Sequence, residues 1–255
     1  MQRVKIGIIG GSGMDDPQFM ASMREKEVKT RYGKPSSPLT IGKIGGTDVV
    51  VLARHGKRHT IYPSAVNFRA NIAALMKEGC THILATTAVG SLRNTIRPGD
   101  IVFPDQFIDF TKHRMLTFHE KEVVHTPMAE PFCATLRSQL IATARKMKTR
   151  HHKTATVITI EGPRFSTRAE SHLFRMWGAD VINMSTVPEV ILAREARICY
   201  QSIAMSTDYD CWKDGEEPVT WEMIKTIMQK NADTVKQLIL QAIPLVSSSA
   251  CGCRD

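Results

Sequence analysis

The sequence predicts a single α/β domain, a twisted mixed β-sheet flanked by helices. Three observations carry that expectation. Short apolar runs alternate with longer amphipathic stretches along the 255 residues. Polar loops follow the apolar runs, where an α/β sheet places its ligands. No linker, repeat or composition break divides the chain, so residues 1–246 read as one domain and 247–255 as a tail. Hydrophobic residues make up 42% and charged residues 23%, which excludes disordered and collagen-like classes.

The elements follow in order. Val4–Ile9 is a short apolar run that ends in Gly10-Gly11-Ser12-Gly13, a strand then a turn. Val49–Ala53 reads as a buried strand. Ser64, after Pro63, is a candidate cap for a helix to about Glu78 that carries Ile72, Leu75 and Met76 and stops at Gly79. His82–Thr87 is the next strand. A helix is expected from Pro131 to about Lys148, a strand over Thr154–Ile160 and a helix over Arg168–Trp177. Val181–Met184, Pro188–Arg197, Ile198–Thr207 and Thr220–Ile243 continue strand, helix, strand, helix.

The 34 basic and 25 acidic side chains give a net charge of +9, which raises nucleic acid, a membrane surface or an anionic substrate as partners. The densest basic stretch, 145–153, sits at an expected helix end, where cations complement the dipole. No aromatics interleave it, so no platform for single strands is expected and nucleic acid is disfavoured. No apolar run approaches the ~18 residues of a membrane span. A glycine turn follows too soon after Met1 for a signal peptide. A cytoplasmic protein is expected.

The cysteines are Cys80, Cys133, Cys199, Cys211, Cys251 and Cys253. None has C-x-x-C spacing, so no metal site is expected. Cys251-Gly252-Cys253 reads either as two reduced thiols or as a disulfide across one residue.

Several strand-end loops carry chemistry. Gly10–Gly13 suits an anion or a plain turn, with Ser12 as a hydroxyl donor. It is neither a Walker loop nor a dinucleotide fingerprint. Arg54-His55-Gly56 offers a guanidinium for phosphate and an imidazole donor, or a surface Arg and a core His. Thr87, in Thr86–Ser91, adds a hydroxyl or a strand-end cap. Asp208 and Asp210 share one side if the strand pattern persists, and would then raise each other's pKa and supply an acid. The alternative is a helix cap.

Taken together, Gly10–Gly13, Arg54–Gly56, Glu78–His82 and Gly99–Val102 resemble the trimeric purine nucleoside phosphorylases. Glu161–Ser166, Gly178–Ser185 and Ala204–Trp212 are similar, more narrowly, to the branch that cleaves S-methyl-5′-thioadenosine. The resemblance spans about residues 4–245. It implies phosphorolysis to adenine and 5-methylthioribose 1-phosphate, in purine and methionine salvage, with no metal or organic cofactor and inorganic phosphate as co-substrate. Adenosine and 6-oxopurine nucleosides are the alternative substrates.

The resemblance also implies roles. Ser12, Arg54, His55, Thr87, the Ala88 backbone and Ser185 would hold phosphate. Met184 would lie beneath the ribose. Phe165 and Ser166 would stack on and bond the base, while Asp208 and Asp210 contact its amino group and N7. The 6-oxopurine branch has Asn where Asp208 stands, which argues for adenine. His59, Trp221 and Ile224 would line the 5′ pocket, with Trp221 a departure from the small aliphatic of relatives. His125 would reach in from a neighbouring subunit of a homotrimer, or of a dimer of trimers.

Overall fold

The computed structural model describes residues 4–10, 20–216, 220–246 and 251–253. No helix among them is long and apolar enough to cross a membrane. Strand β1 (Lys5–Gly10) lies at the centre of the sheet. Its alternation is visible in the core: Ile6 and Ile8 enter one apolar cluster and Ile9 the other. Beyond the exposed edge strand β2 (Ala21–Lys26) comes β3 (Leu39–Ile44), antiparallel to β4 (Thr47–Ala53). The charged residues Arg24, Glu25 and Lys26 keep that edge from pairing further. Neither β2 nor β3 was legible in the pattern, because both mix apolar and polar side chains without a strict period of two.

The strand β5 (His82–Ser91) changes partners along its length. His82–Ala85 pairs with Ile6–Ile9 of β1, and Gly90–Ser91 pairs antiparallel with Val181–Ile182. The strand therefore runs past Thr87, where a loop was expected. Short β6 (Ile101–Val102), β7 (Gln106–Phe110), β8 (His151–His152), β9 (Thr156–Ile160) and β10 (Val181–Asn183) complete the sheet with β11 (Cys199–Asp208). β11 runs parallel to β5, while β10, β9 and β7 form a parallel trio.

Helices cover both faces. Ile72 and Leu75 of α1 (Phe68–Lys77) share a core with Val190 and Leu192 of a helix that spans Thr186–Glu195. On the opposite face, Leu136 and Leu140 of α2 (Ala134–Lys146) pack with Leu238 and Ile239 of the long helix Trp221–Ala242. A third cluster joins Phe174 of α3 (Arg168–Met176) to Ile158 and Ile182. In chain order the helix at Thr186–Glu195 is α4 and that at Trp221–Ala242 is α5.

The expected cap at Ser64 is wrong. Pro63–Ala65 is a single 3-10 turn, Val66 returns to extended backbone, and Asn67 Oδ1 accepts the Ala70 N–H at 3.0 Å to start α1. For α3, Thr167 and Glu170 form a reciprocal capping box.

Candidate active site

The ends of β4, β5, β10 and β11 open onto one cavity of about 590 Å³. Every described residue named from the sequence for the site lines it, except His125, which is exposed elsewhere on the chain. Ser12 lies outside the described residues.

Arg54 follows the last residue of β4 and is 2% exposed. Its Nε and Nη2 pair with the two carboxylate oxygens of Glu189 at 2.8 and 2.9 Å, and Nη1 donates to Thr86 O at 2.8 Å. Tyr200 Oη adds a donor to Glu189 at 2.8 Å. Three of the five N–H donors of a guanidinium are thus engaged, and the fork is held rigid for whatever enters the cavity. Glu189 carried no signal in the sequence. A lone Glu in an apolar helix, 135 positions from its partner, declares its role only in the fold.

His55 departs from its expected role. Burial and the adjacent Arg54 charge push its pKa down to about 4, so the ring is neutral. Its Nδ1 lies 2.8 Å from Ile61 O, which can only accept. Nδ1 therefore carries the hydrogen, and Nε2 presents a lone pair rather than an N–H donor. His59 packs on His55 with ring centroids 4.6 Å apart, and Trp221 stacks on His59 at 5.0 Å. This column of rings, with Ile224 and Met228 of α5, forms an aromatic and apolar wall.

Hydroxyls gather beside the guanidinium's strand end. Thr87 Oγ1 and Ser185 Oγ are 2.8 Å apart. Asn183 orders them: its Nδ2 donates to Thr87 Oγ1 at 3.3 Å and to Thr186 Oγ1 at 2.7 Å, and its Oδ1 accepts from the Ser185 N–H at 3.4 Å and from Thr159 Oγ1 at 2.9 Å. Asn183 was not singled out in the sequence, although it is the last residue of β10 and holds the loop that leads into α4.

Asp208 and Asp210 both face the cavity, each 7% exposed. The strand pattern does not persist between them. The register shifts after Ser206, and Asp210 turns with φ 50°. The Asp210 N–H donates to Asp208 Oδ1 and Thr207 Oγ1 donates to Asp208 Oδ2, both at 2.7 Å. Burial is the main reason that the Asp208 pKa is pushed up to about 6; the second carboxylate contributes least. Burial also raises Asp210. The mutual repulsion expected from the spacing is thus a minor cause.

Two glycines admit this geometry. A Cβ on Gly90 would lie 2.9 Å from Asp208 Oδ1. Gly162 has φ +67°, and a Cβ there would lie 2.5 Å from Met184 Sδ. Gly162→Ala is expected to push Met184 aside, costing about 1–3 kcal/mol of stability. Thermal melts would show the loss, and an unchanged midpoint would remove the close approach as a constraint.

The loop Glu161–Ser166 brings Phe165 to the cavity at 41% exposure, together with Ser166. Ser166 Oγ is buried beside the Asp210 carboxylate. Arg114 steadies the loop's start, with Nη2 donating to Glu161 O at 2.8 Å. Such a cavity can bind an anion, an aromatic base and an apolar substituent at once.

Comparison with known proteins agrees. The chain is 56% identical over 249 residues to S-methyl-5′-thioadenosine phosphorylase of Danio rerio, covering 95% of this chain and 89% of that protein. It is 51% identical to the protein of that name from Thermofilum pendens, covering 99% and 97%. Methylthioadenosine phosphorylase from Schistosoma mansoni, solved in complex with adenine, superposes with a TM-score of 0.93 at 44% identity, covering 97% of this chain and 93% of that one. A mutant of that enzyme in complex with methylthioadenosine gives 0.90 at 43% identity, with coverage of 97% and 93%. The family model of the phosphorylase superfamily matches residues 5–244. The chain belongs to the phosphorylase superfamily.

Proposed function

We propose that the protein catalyses phosphorolysis of S-methyl-5′-thioadenosine to adenine and 5-methylthioribose 1-phosphate, a step of purine and methionine salvage. The observation that carries it is the content of one cavity: a rigid guanidinium with paired hydroxyls, a buried carboxylate of raised pKa, and an aromatic wall. The names and ligands of the similar proteins support the same reading.

A phosphate oxygen forms a bond to C1′ as the C1′–N9 bond breaks and its electron pair moves into the purine. Arg54, Thr87, Ser185 and the Ala88 N–H hold the phosphate, along with Ser12. His55 Nε2 accepts the hydroxyl hydrogen of monoprotonated phosphate. Met184 supports the ribose, and Phe165 and Ser166 take the base. Asp208 delivers a proton to N7, directly or through a water, so adenine leaves neutral. Asp208, through its second oxygen, and Asp210 accept from the 6-amino group. The reaction as written needs neither a metal nor an organic cofactor.

The test is release of free base from methylthioadenosine, adenosine and inosine, each with and without phosphate. Phosphate-dependent adenine release from methylthioadenosine is expected. Equal release without phosphate would make the protein a nucleosidase, and faster release from inosine would transfer it to the 6-oxopurine branch.

Trp221 provides a finer check. Trp221→Ala opens the wall above His59 and should cut the preference for methylthio over hydroxyl by about 10-fold or more, the scale of apolar discrimination. The ratio of kcat/KM for methylthioadenosine and adenosine reads it, and a constant ratio would leave Trp221 as packing. We also propose a cytoplasmic homotrimer in which exposed His125 completes a neighbour's site. A sedimentation mass of three chains is expected; a fully active monomer excludes the arrangement.

A further inference from the structure

Four of the six cysteines meet away from the cavity. Cys133 is the N-cap of α2, Cys199 opens β11, and Cys251 and Cys253 come from the tail. Their Sγ atoms all lie within 4.8 Å of one another, and those of Cys199 and Cys251 are 2.9 Å apart. None lines the cavity.

The fold brings them there by distinct means. The Cys133 N–H donates to Tyr200 O at 2.9 Å, which fastens the start of α2 beside the start of β11. Arg194 Nη1 donates to Gly252 O at 3.3 Å, which holds the tail against the same corner. Gly252 puts no side chain between the two tail thiols. The Leu136 N–H donates to Cys133 Sγ at 3.5 Å, which fixes the direction of that sulfur at the start of α2. Cys133 and Cys199 are buried in the apolar cluster to which α2 and α5 contribute, and Cys251 and Cys253 pack against it, partly buried.

We propose that Cys133, Cys199, Cys251 and Cys253 bind one zinc ion in a closed tetrathiolate site that ties the tail to the body of the domain. Zinc–sulfur bonds of about 2.3 Å place tetrahedral sulfurs roughly 3.8 Å apart, so small shifts of the present side chains suffice. Four zinc–sulfur bonds form, four protons leave to solvent, and nothing is oxidised. All four ligand positions are protein sulfur, so no position is open for catalysis, and the site is structural. The absence of C-x-x-C spacing hid it, because the ligands come from three separate parts of the chain.

The test is elemental analysis and intact mass of the full chain, purified in parallel with and without a reductant and in neither case with chelator. About one zinc per chain is expected. The double variant Cys251→Ser with Cys253→Ser should lose the zinc and lower Tm by about 5–10 °C while keeping phosphorolysis at 25 °C, which shows that it folds. Cys253→His should keep the zinc and restore most of the Tm, since imidazole is also a zinc ligand. Cobalt added to the metal-free protein should give the visible and near-ultraviolet bands of a tetrahedral cobalt thiolate. Four free thiols with no zinc would overturn the proposal. So would iron in its place, or a mass four hydrogens lighter, which means two disulfides. Loss of zinc in the histidine variant, matching the serine variant, would also count against it.

Discussion

Arg54→Ala is expected to lower kcat/KM by about 10²–10³-fold, the scale of losing a positioned donor at a developing charge. The loss should fall mainly on phosphate, read as a raised phosphate KM at fixed nucleoside. Stability should fall as well. Arg54 and Glu189 are 2% and 0% exposed, so deleting the guanidinium leaves a buried carboxylate that keeps the Tyr200 Oη donor but loses its bidentate cation. Removing one partner of a buried pair costs about 3–5 kcal/mol. Arg54→Lys separates the two effects. It keeps a charge near Glu189 but lacks the planar fork, so it should recover stability more than phosphate binding. Initial rates across a phosphate series, with thermal melts of each variant, check both. An Arg54→Lys enzyme with unaltered phosphate KM would remove the fork from phosphate recognition.

Asp208→Asn is expected to reduce kcat/KM for methylthioadenosine by about 10²–10⁴-fold, since it removes the proposed acid. The residual activity should move toward inosine, whose 6-oxo group can accept from an amide. The pH dependence follows from burial. The Asp208 pKa rises from 3.8 to about 6 on folding. The native state therefore binds more protons than the unfolded state between those values. Its contribution to stability is full below pH 3.8 and is lost as pH rises through about 6. The change is about 3 kcal/mol, at ~1.4 kcal/mol per unit. Above pH 6 the protein carries a buried charge that the amide would not. Asp208→Asn should therefore be more stable than the wild type at pH 8, while the two converge near pH 4. The Asp210 N–H can still donate to the amide oxygen, and Thr207 can rotate to accept from its nitrogen.

The same protonation governs rate. The acid form of Asp208 thins tenfold per pH unit above its pKa, so kcat/KM of the wild type should decline on that side. The variant should lack that limb. A pH–rate profile for both enzymes is the measurement, and an identical alkaline limb would assign the proton to another group.

The alternation of apolar runs was enough to place β1, β4, β5, β9, β10, β11 and all five helices, because those elements are buried on at least one face and carry its period. It missed β2, β3 and β7, whose exposed or mixed residues hold no such record, and β6 and β8, which at two residues each are too short to show one. The site followed the same division. Residues at strand ends were legible as types: a guanidinium, hydroxyls, two carboxylates. Their partners were not. Glu189 and Asn183 are ordinary side chains in sequence, and they act only through contacts made across the fold.

By itself, then, the sequence determined which elements form and which functional groups stand at their ends. These are properties of local period and side-chain chemistry. Only the tertiary structure decided the state of those groups. It made His55 an acceptor, because Ile61 O claims its hydrogen. It raised Asp208 by burial rather than by its neighbour's charge. It also gathered four cysteines that no spacing rule connects. Protonation and coordination depend on solvent exclusion and on atoms a few ångströms away, and those neighbours come from distant parts of the chain.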